Sequence, residues 1–175
     1  MAEQTDRNGG WIVVGVDGSE HSRRALRWAL DEAKLRHLGC RVVHAWHYSS
    51  AAANPYLGMP LPEAEAAASG ILEQELALTT GSGVAVNGQL VEMNAADALV
   101  DASVGAEMLV VGCRGRGSLA AAVLGSVSTA CIRHARCPVV VVRTPPLPAR
   151  SRATKQVPEE AGDRPAPPLA TASGR

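Results

Sequence analysis

Apolar runs alternate with helix-period segments between residues 10 and 143. The runs are short, rich in β-branched residues, and cover residues 11–16, 41–46, 84–93, 107–111 and 139–142. Continuous apolar runs are typical of strands that are covered on both faces, and their alternation with helices is typical of βαβ units. The pattern therefore predicts an α/β fold with a parallel sheet of five strands and helices on both faces.

The segments between these runs have helical character. Ser19 is a suitable N-cap for the first helix, Gly39 is predicted to end it, and Asn94 is a suitable N-cap for a short helix that ends at residue 102. Further helices are predicted at residues 63–78 and 126–136. In the first helix an apolar stripe at helical spacing is predicted to face the sheet, formed by Leu26, Ala29, Leu30 and Ala33.

The two ends of the chain differ from this pattern. Residues 144–175 hold seven of the eleven prolines and three large apolar residues, Leu147, Val157 and Leu169, so we expect a disordered, proline-rich tail. The polar residues 1–9 are expected to be flexible. A chain of 175 residues has the length of one domain, which we place at residues 10–143.

Composition and charge exclude several classes of protein. Seventeen basic and seventeen acidic residues give a formal net charge of zero, so no overall field favours a nucleic acid or a membrane. No run approaches the roughly 18 apolar residues of a membrane span, and the first residues do not resemble a signal peptide. We expect a cytoplasmic protein that binds neither membrane nor nucleic acid.

Few residues have the pattern of a catalytic or metal site. The four cysteines form no CxxC pair, which indicates buried free thiols rather than disulfides or zinc ligands. GxSxG, HExxH, P-loop and GxGxxG motifs are missing. The scattered histidines, including His44 and His47, are interpreted as packed or surface residues, and we predict no catalytic residue.

A glycine-rich loop after the fourth strand is the most informative segment. Gly112, Gly115 and Gly117 would let the backbone adopt positive φ and approach a ligand closely. The next helix begins near Ser126, so its first amides, with the hydroxyls of Ser126 and Ser128, would face the same space. The alternative is a loop that only makes a tight connection.

The charges near this loop agree with an anion site. Residues 108–143 contain no Asp or Glu but five arginines, Arg114, Arg116, Arg133, Arg136 and Arg143. Asp17 follows the first strand, at the sheet edge where α/β proteins bind ligands. Because a carboxylate repels phosphates, Asp17 is predicted to contact a ribose hydroxyl, an adenine amine or a metal ion; alternatively, it caps the entry to the first helix.

These residues resemble the universal stress protein family over residues 11–143. The spacing Gly112-x2-Gly115-x9-Gly125-Ser126 is similar to the family's ATP-binding signature, and VGVDGSEHS and CPVVVVR are similar to its first and last strands. The resemblance implies the strand order 3-2-1-4-5. Strands one and four would then be neighbours, so that Asp17 and the glycine loop would flank one cleft.

The resemblance also implies a ligand, a set of binding residues and a partner. The ligand would be ATP, with Mg²⁺, and the partner a second copy joined through strand 139–142, besides a protein client that the sequence does not identify. Gly15 and Asp17 would border the adenosine, and the main chain of Ala45 would meet the adenine edge. The residues that would surround the phosphates are Gly112, Arg114, Gly115, Gly117, Ser118, Gly125, Ser126, Val127 and Ser128.

Three functions follow from this interpretation. The leading hypothesis is an ATP-binding stress-response regulator that acts as a nucleotide-dependent switch and hydrolyses ATP slowly at most. A second is an ATP-using enzyme of the adenine-nucleotide α-hydrolase-like group. A third is a nucleotide-free redox or interaction module in which Cys113, beside arginines, senses oxidants.

Overall fold

A computed structural model describes residues 10–47, 56, 58–115 and 124–143. The predicted flexible N-terminus and proline-rich tail lie outside these residues. In chain order, the described elements are β1 Trp11–Gly15, α1 Glu20–Arg36, β2 Gly39–Trp46, α2 Leu61–Ala77, β3 Val86–Glu92, α3 Ala95–Ala102, β4 Met108–Gly112, α4 Ser126–His134 and β5 Val139–Val142.

The five strands form one parallel sheet in the order β3-β2-β1-β4-β5, which confirms the predicted α/β fold and strand order. From β1 the chain returns through α1 to β2 on one side, and from β4 it returns through α4 to β5 on the other. The connections of these two neighbouring strands therefore leave in opposite directions. That arrangement opens a crevice beyond their carboxyl ends, where α/β proteins bind ligands.

Helices cover both faces of the sheet. On one face α1 and α2 pack on Ile12, Val14 and Val42, and on the other face α3 and α4 pack on Val13 and Val43. The predicted stripe of α1 is buried. The sheet residues at these contacts are β-branched, and the stripe of α1 alternates leucine with alanine, so the helix approaches the sheet closely. Trp28 of α1 packs against the same layer and is partly buried.

The capping residues behave as predicted, but the end of α1 does not. Ser19 Oγ accepts from the amide of Ser22, and the side chain of Asn94 caps α3. Helix α1 ends at Arg36 and is capped by His37 in the left-handed region, with φ of 57°. The prediction that Gly39 ends the helix is wrong: Gly39 begins β2, where an added Cβ would lie 2.6 Å from the Trp11 ring.

The cysteines are free thiols, as the spacing predicted. Burial raises the pKa of Cys40 to about 12 and that of Cys131 to about 11. Both thiols therefore stay protonated and unreactive near neutral pH. Within the described residues, no helix combines the length and apolar character that crossing a bilayer requires.

Candidate functional site

The turn between β1 and α1 holds Asp17 in a fixed position. The amide of Ser19 donates to Asp17 Oδ1 at 3.0 Å, and the amide of Asp17 donates to Ser22 Oγ at 3.3 Å. Since Asx turns of this kind fix a carboxylate against its own backbone, Asp17 shapes the entry to α1. The helix cap itself is the hydroxyl of Ser19, which accepts from Ser22.

The other oxygen of Asp17 lies against the glycine loop. An added Cβ on Gly115 would lie 2.7 Å from Oδ2 of Asp17. The turn after β1 and the loop after β4 therefore approach each other across the crevice. The structure brings Asp17 and Gly115 together, although they are 98 positions apart in the sequence.

Two glycines of the loop lie in crowded surroundings without unusual backbone conformation, Gly112 against main-chain atoms and Gly115 against the carboxylate of Asp17. An added Cβ on Gly112 would lie 2.9 Å from the carbonyl carbon and oxygen of His21, in the first turn of α1. Neither Gly112 nor Gly115 has positive φ, so that expectation is wrong for both. Gly117 and Ser118 lie outside the described residues.

Hydrogen bonds fix the end of the loop at the start of α4. The amide of Gly125 donates to the carbonyl of Cys113 at 2.9 Å. The hydroxyl of buried Ser128 donates to the carbonyls of Gly125, at 3.0 Å, and Cys113, at 3.4 Å. Because its proton is engaged by main-chain oxygens, this hydroxyl shapes the turn and is not the donor to an anion that its place in the sequence predicted.

The N-terminus of α4 has the properties of an anion site. Its N-cap, Gly125, is extended with φ of −66° and ψ of 162°; within the described residues no side chain caps this helix, and its first turn has no acid. The first amides of an α-helix have no intrahelical partners and carry a partial positive charge. In this helix these are the amides of Ser126, Val127 and Ser128, which we call the α4 amides.

The main chain of Arg114 lies beside the start of α4. Its Cα lies 3.5 Å from the position of an added Cβ on Gly125. Its Nε is buried and has no hydrogen-bond partner among the described residues. A buried donor without a partner costs free energy, so the side chain is suited to an acceptor such as a phosphate oxygen.

The carboxyl end of β2 presents main-chain groups to the same crevice. The pairing of β1 with β2 extends to Gly15 and Val43, and the carbonyl of Val43 accepts from the amide of Val16 at 2.9 Å. Alternate residues of a parallel strand bond to the same neighbouring strand. The N–H and C=O groups of Ala45 therefore point towards β1, beyond the point where β1 ends.

The space beside Gly15 is filled by the protein itself. An added Cβ there would lie 2.7 Å from Cδ1 of Leu99 in α3. Gly15 therefore lets α3 pack against the end of β1. Any contact with a nucleoside, as the resemblance implied, would have to come from its main chain.

His44, interpreted from the sequence as a packed or surface histidine, is buried beside this crevice, and its hydrogen bonds were not predicted. It is 4% exposed, with Nδ1 2.8 Å from the carbonyl oxygen of Val16 and Nε2 3.4 Å from the hydroxyl of Tyr56. A polar residue inside an apolar strand was the available signal, since buried polar groups are almost always hydrogen-bonded. The ring of Tyr56 in turn packs edge-on against Trp46.

Comparisons with known proteins agree on one family. Residues 11–143 match the sequence model of the universal stress protein family. A universal stress protein of Mycobacterium tuberculosis is 34% identical over 143 residues, which cover 76% of this chain and 48% of the relative. The chain thus spans about half the length of the curated relatives it matches first.

Two solved structures are similar in both sequence and fold. A universal stress protein in complex with cAMP is 27% identical with a TM-score of 0.59, and the match covers 77% of this chain and 97% of that one. A universal stress protein from Archaeoglobus fulgidus in complex with dAMP is 29% identical with a TM-score of 0.57, covering 74% and 94%.

Proposed function

The chain belongs to the universal stress protein family, and from that premise we propose that it is an ATP-binding regulator that hydrolyses its ligand slowly at most. One observation carries the proposal. Asp17 and Gly115 meet across the crevice between β1 and β4, so that a carboxylate suited to a ribose lies beside a loop suited to phosphates. Relatives of similar sequence bind cAMP and dAMP, which share an adenine base, a pentose and a phosphate group.

The chemistry of the crevice divides between the two ends of such a ligand. The α4 amides and Arg114 provide donors and positive charge for the phosphates. Asp17 would repel phosphates and accepts hydrogen bonds from ribose hydroxyls instead. The main chain of Ala45 would contact the base.

Mg²⁺ would accompany ATP rather than occupy a preformed protein site. Among the described residues, no group of three or more His, Cys, Asp or Glu side chains could hold a metal ion. Mg²⁺ usually keeps several waters and binds through substrate phosphates with one or two carboxylates. Asp17 is the carboxylate of this crevice that we assign to that role, as an alternative to the ribose.

The hydrogen bonds of Cys113 suggest how occupancy would act as a switch. Its amide donates to the carbonyl of Val142 in β5 at 3.0 Å, and its carbonyl accepts from the amide of Gly125. A ligand bound beside Cys113 would therefore bias both α4 and the edge of the sheet. Such a ligand shifts populations only by its differential affinity for the two states.

Calorimetry with purified protein tests ATP binding. We expect one ATP per chain and at least about tenfold weaker binding of adenosine, because each charge-assisted hydrogen bond to phosphate contributes about 1.5–3 kcal/mol. Equal affinities for ATP and adenosine would show that the phosphates do not bind at the α4 amides. A protein that takes up no adenine nucleotide would refute the proposed function.

Two other hypotheses have their own measurements. Steady-state ATP turnover above about one per second, near ordinary enzyme rates, would favour the enzyme of the adenine-nucleotide α-hydrolase-like group. The redox module depends on Cys113, which is 8% exposed with Sγ 3.9 Å from Nδ1 of His21. Its sensitivity to oxidants stays a prediction, as do a cytoplasmic location and a protein client.

We also infer a homodimer that pairs β5 strands. The carbonyl of Pro138 accepts from Leu109 in β4, and the carbonyl of Val142 accepts from Cys113, which directly follows β4. The even-numbered residues of β5 therefore bond towards β4, whereas Val139 and Val141 point their main-chain groups outwards. This open edge of four half-buried valines is suited to pairing with another strand.

Two proline variants test this pairing. Val141→Pro removes an outward N–H, so we expect a folded monomer by sedimentation where the wild type is a dimer. Val140→Pro removes an N–H that bonds to β4 and leaves its acceptor unpaired, so it should instead destabilise the domain by about 1–3 kcal/mol. A dimer that persists in Val141→Pro would contradict the inference.

A further inference from the structure

The side chain of His44 occupies a hydrogen bond that strand pairing would otherwise make. The amide of Val16 donates to Val43, as in a continuing ladder. In a parallel pair, the carbonyl of Val16 would next accept from the amide of Ala45, two residues beyond Val43. In this structure that carbonyl is 2.8 Å from Nδ1 of His44.

The surroundings of His44 fix the tautomer of its ring. A carbonyl only accepts, so Nδ1 must carry the proton that it donates to Val16. In the neutral ring Nε2 is then an acceptor, and it lies 3.4 Å from the hydroxyl of Tyr56. Tyr56 is itself buried and held edge-on by Trp46 at 5.9 Å between ring centroids.

We propose that His44 is a positioning residue that makes the nucleotide site selective for adenine, because it takes the carbonyl of Val16 and so leaves the N–H and C=O of Ala45 to the base. The inference rests on the proposed function and identifies what sets base selectivity there. It assigns a role to a side chain that does not itself face the ligand.

The chemistry of the bases explains the selectivity. Ala45 offers one donor and one acceptor on the same side of β2. Adenine presents an amino donor beside a ring-nitrogen acceptor, whereas guanine presents a carbonyl acceptor in place of that amino group. A guanine at Ala45 would bring two carbonyl oxygens together and leave both without a donor.

A pair of matched variants tests the inference. In His44→Asn the amide nitrogen can take the place of Nδ1 and still donate to Val16, whereas His44→Leu has a similar volume and no donor. We expect His44→Leu to lose about tenfold in affinity for ATP and little for GTP, because the ladder closes over Ala45. His44→Asn should keep the ATP-to-GTP preference within about threefold.

Amide hydrogen exchange of Ala45 gives a readout that does not need the nucleotide. In the ligand-free wild type this amide should exchange quickly, and in His44→Leu it should become protected. Tyr56→Phe keeps the core filled but removes the hydroxyl beside Nε2, so the ring of His44 is held less firmly and the variant's ATP-to-GTP preference should fall between those of the other two. If His44→Leu does not fold, Tyr56→Phe takes its place in the test.

The outcomes separate this inference from the proposed function. If neither the wild type nor any variant binds ATP, the proposed function fails, and exchange at Ala45 still reports whether His44 holds the ladder open. If the wild type binds ATP but the Leu and Asn variants keep its preference and its exchange rate at Ala45, the role of His44 is overturned.

Discussion

Replacing Gly125 with aspartate will abolish ATP binding and make the ligand-free protein slightly more stable. Gly125 is the N-cap of α4, with extended φ and ψ of −66° and 162°, the conformation in which Asp accepts from the first helix amides. An added Cβ there would make ordinary contacts, the nearest at 3.5 Å to Cα of Arg114. The new cap should therefore raise the free energy of unfolding by about 0.5–1 kcal/mol.

The same carboxylate would take the place of the phosphates. At about 4 Å, one pair of like charges costs about 1 kcal/mol in water and about 4 kcal/mol near a protein surface. ATP carries several charges, and the α4 amides would already be engaged, so we expect at least about a 100-fold loss of affinity. Calorimetry measures the loss, and thermal unfolding without ligand measures the gain in stability.

Gly125→Asn is the matched control, since it caps the same amides without a charge. It should gain a few tenths of a kcal/mol in stability, less than Asp because it has no charge to interact with the helix dipole, and lose much less affinity for ATP. If Gly125→Asp binds ATP as well as the wild type does, the phosphates do not lie at the α4 amides, wherever else the nucleotide binds.

The fold could be predicted because its signals are local. Apolar runs marked the strands, continuous in the first strand and alternating with polar residues in the third. Ser19 and Asn94 marked two helix starts through side chains that bond to their own helix. Gly39 shows where this stops working. A glycine after a helix usually ends it, but here glycine is needed because the Trp11 ring packs on it, a contact between strands that no local pattern contains.

The position of the candidate site could be predicted from the sequence, but the reason for its glycines could not. The glycine spacing located the loop, but its glycines were interpreted through backbone conformation. The structure instead shows Gly112 against the backbone of His21 and Gly115 against the carboxylate of Asp17. Both neighbours belong to the β1–α1 segment, so only the register of the sheet reveals why the loop needs glycine there.

His44 was within reach of the sequence, but its partners were not. Its place in an apolar strand indicated a buried hydrogen bond. The last residue of β1 that pairs with β2 is Gly15, opposite Val43. Val16 is the next residue, and its carbonyl is the partner of His44. Where a strand ends is set by tertiary packing as well as by its own residues, and a single sequence does not fix it.

Gly112→Ala should destabilise the protein by about 2 kcal/mol. The new methyl group would lie 2.9 Å from the carbonyl carbon and oxygen of His21, which are main-chain atoms of α1 and cannot rotate away. Overpacking of this kind costs about 1–3 kcal/mol, and the stiffer unfolded chain offsets less than half of the upper value. Chemical denaturation of the ligand-free variant measures the change.

Gly125→Ala is the control for the same substitution in the same glycine signature. Its methyl group meets no atom of the described protein closer than 3.5 Å, so stability should change by less than about 0.5 kcal/mol. ATP affinity should nevertheless fall, because the methyl group would lie where the phosphates are proposed to bind. A Gly112→Ala protein as stable as the wild type would show that α1 can move away from β4. In that case Gly112 would not be needed for packing, and the proposed difference between Gly112, which serves the fold, and Gly125, which serves the ligand, would be wrong.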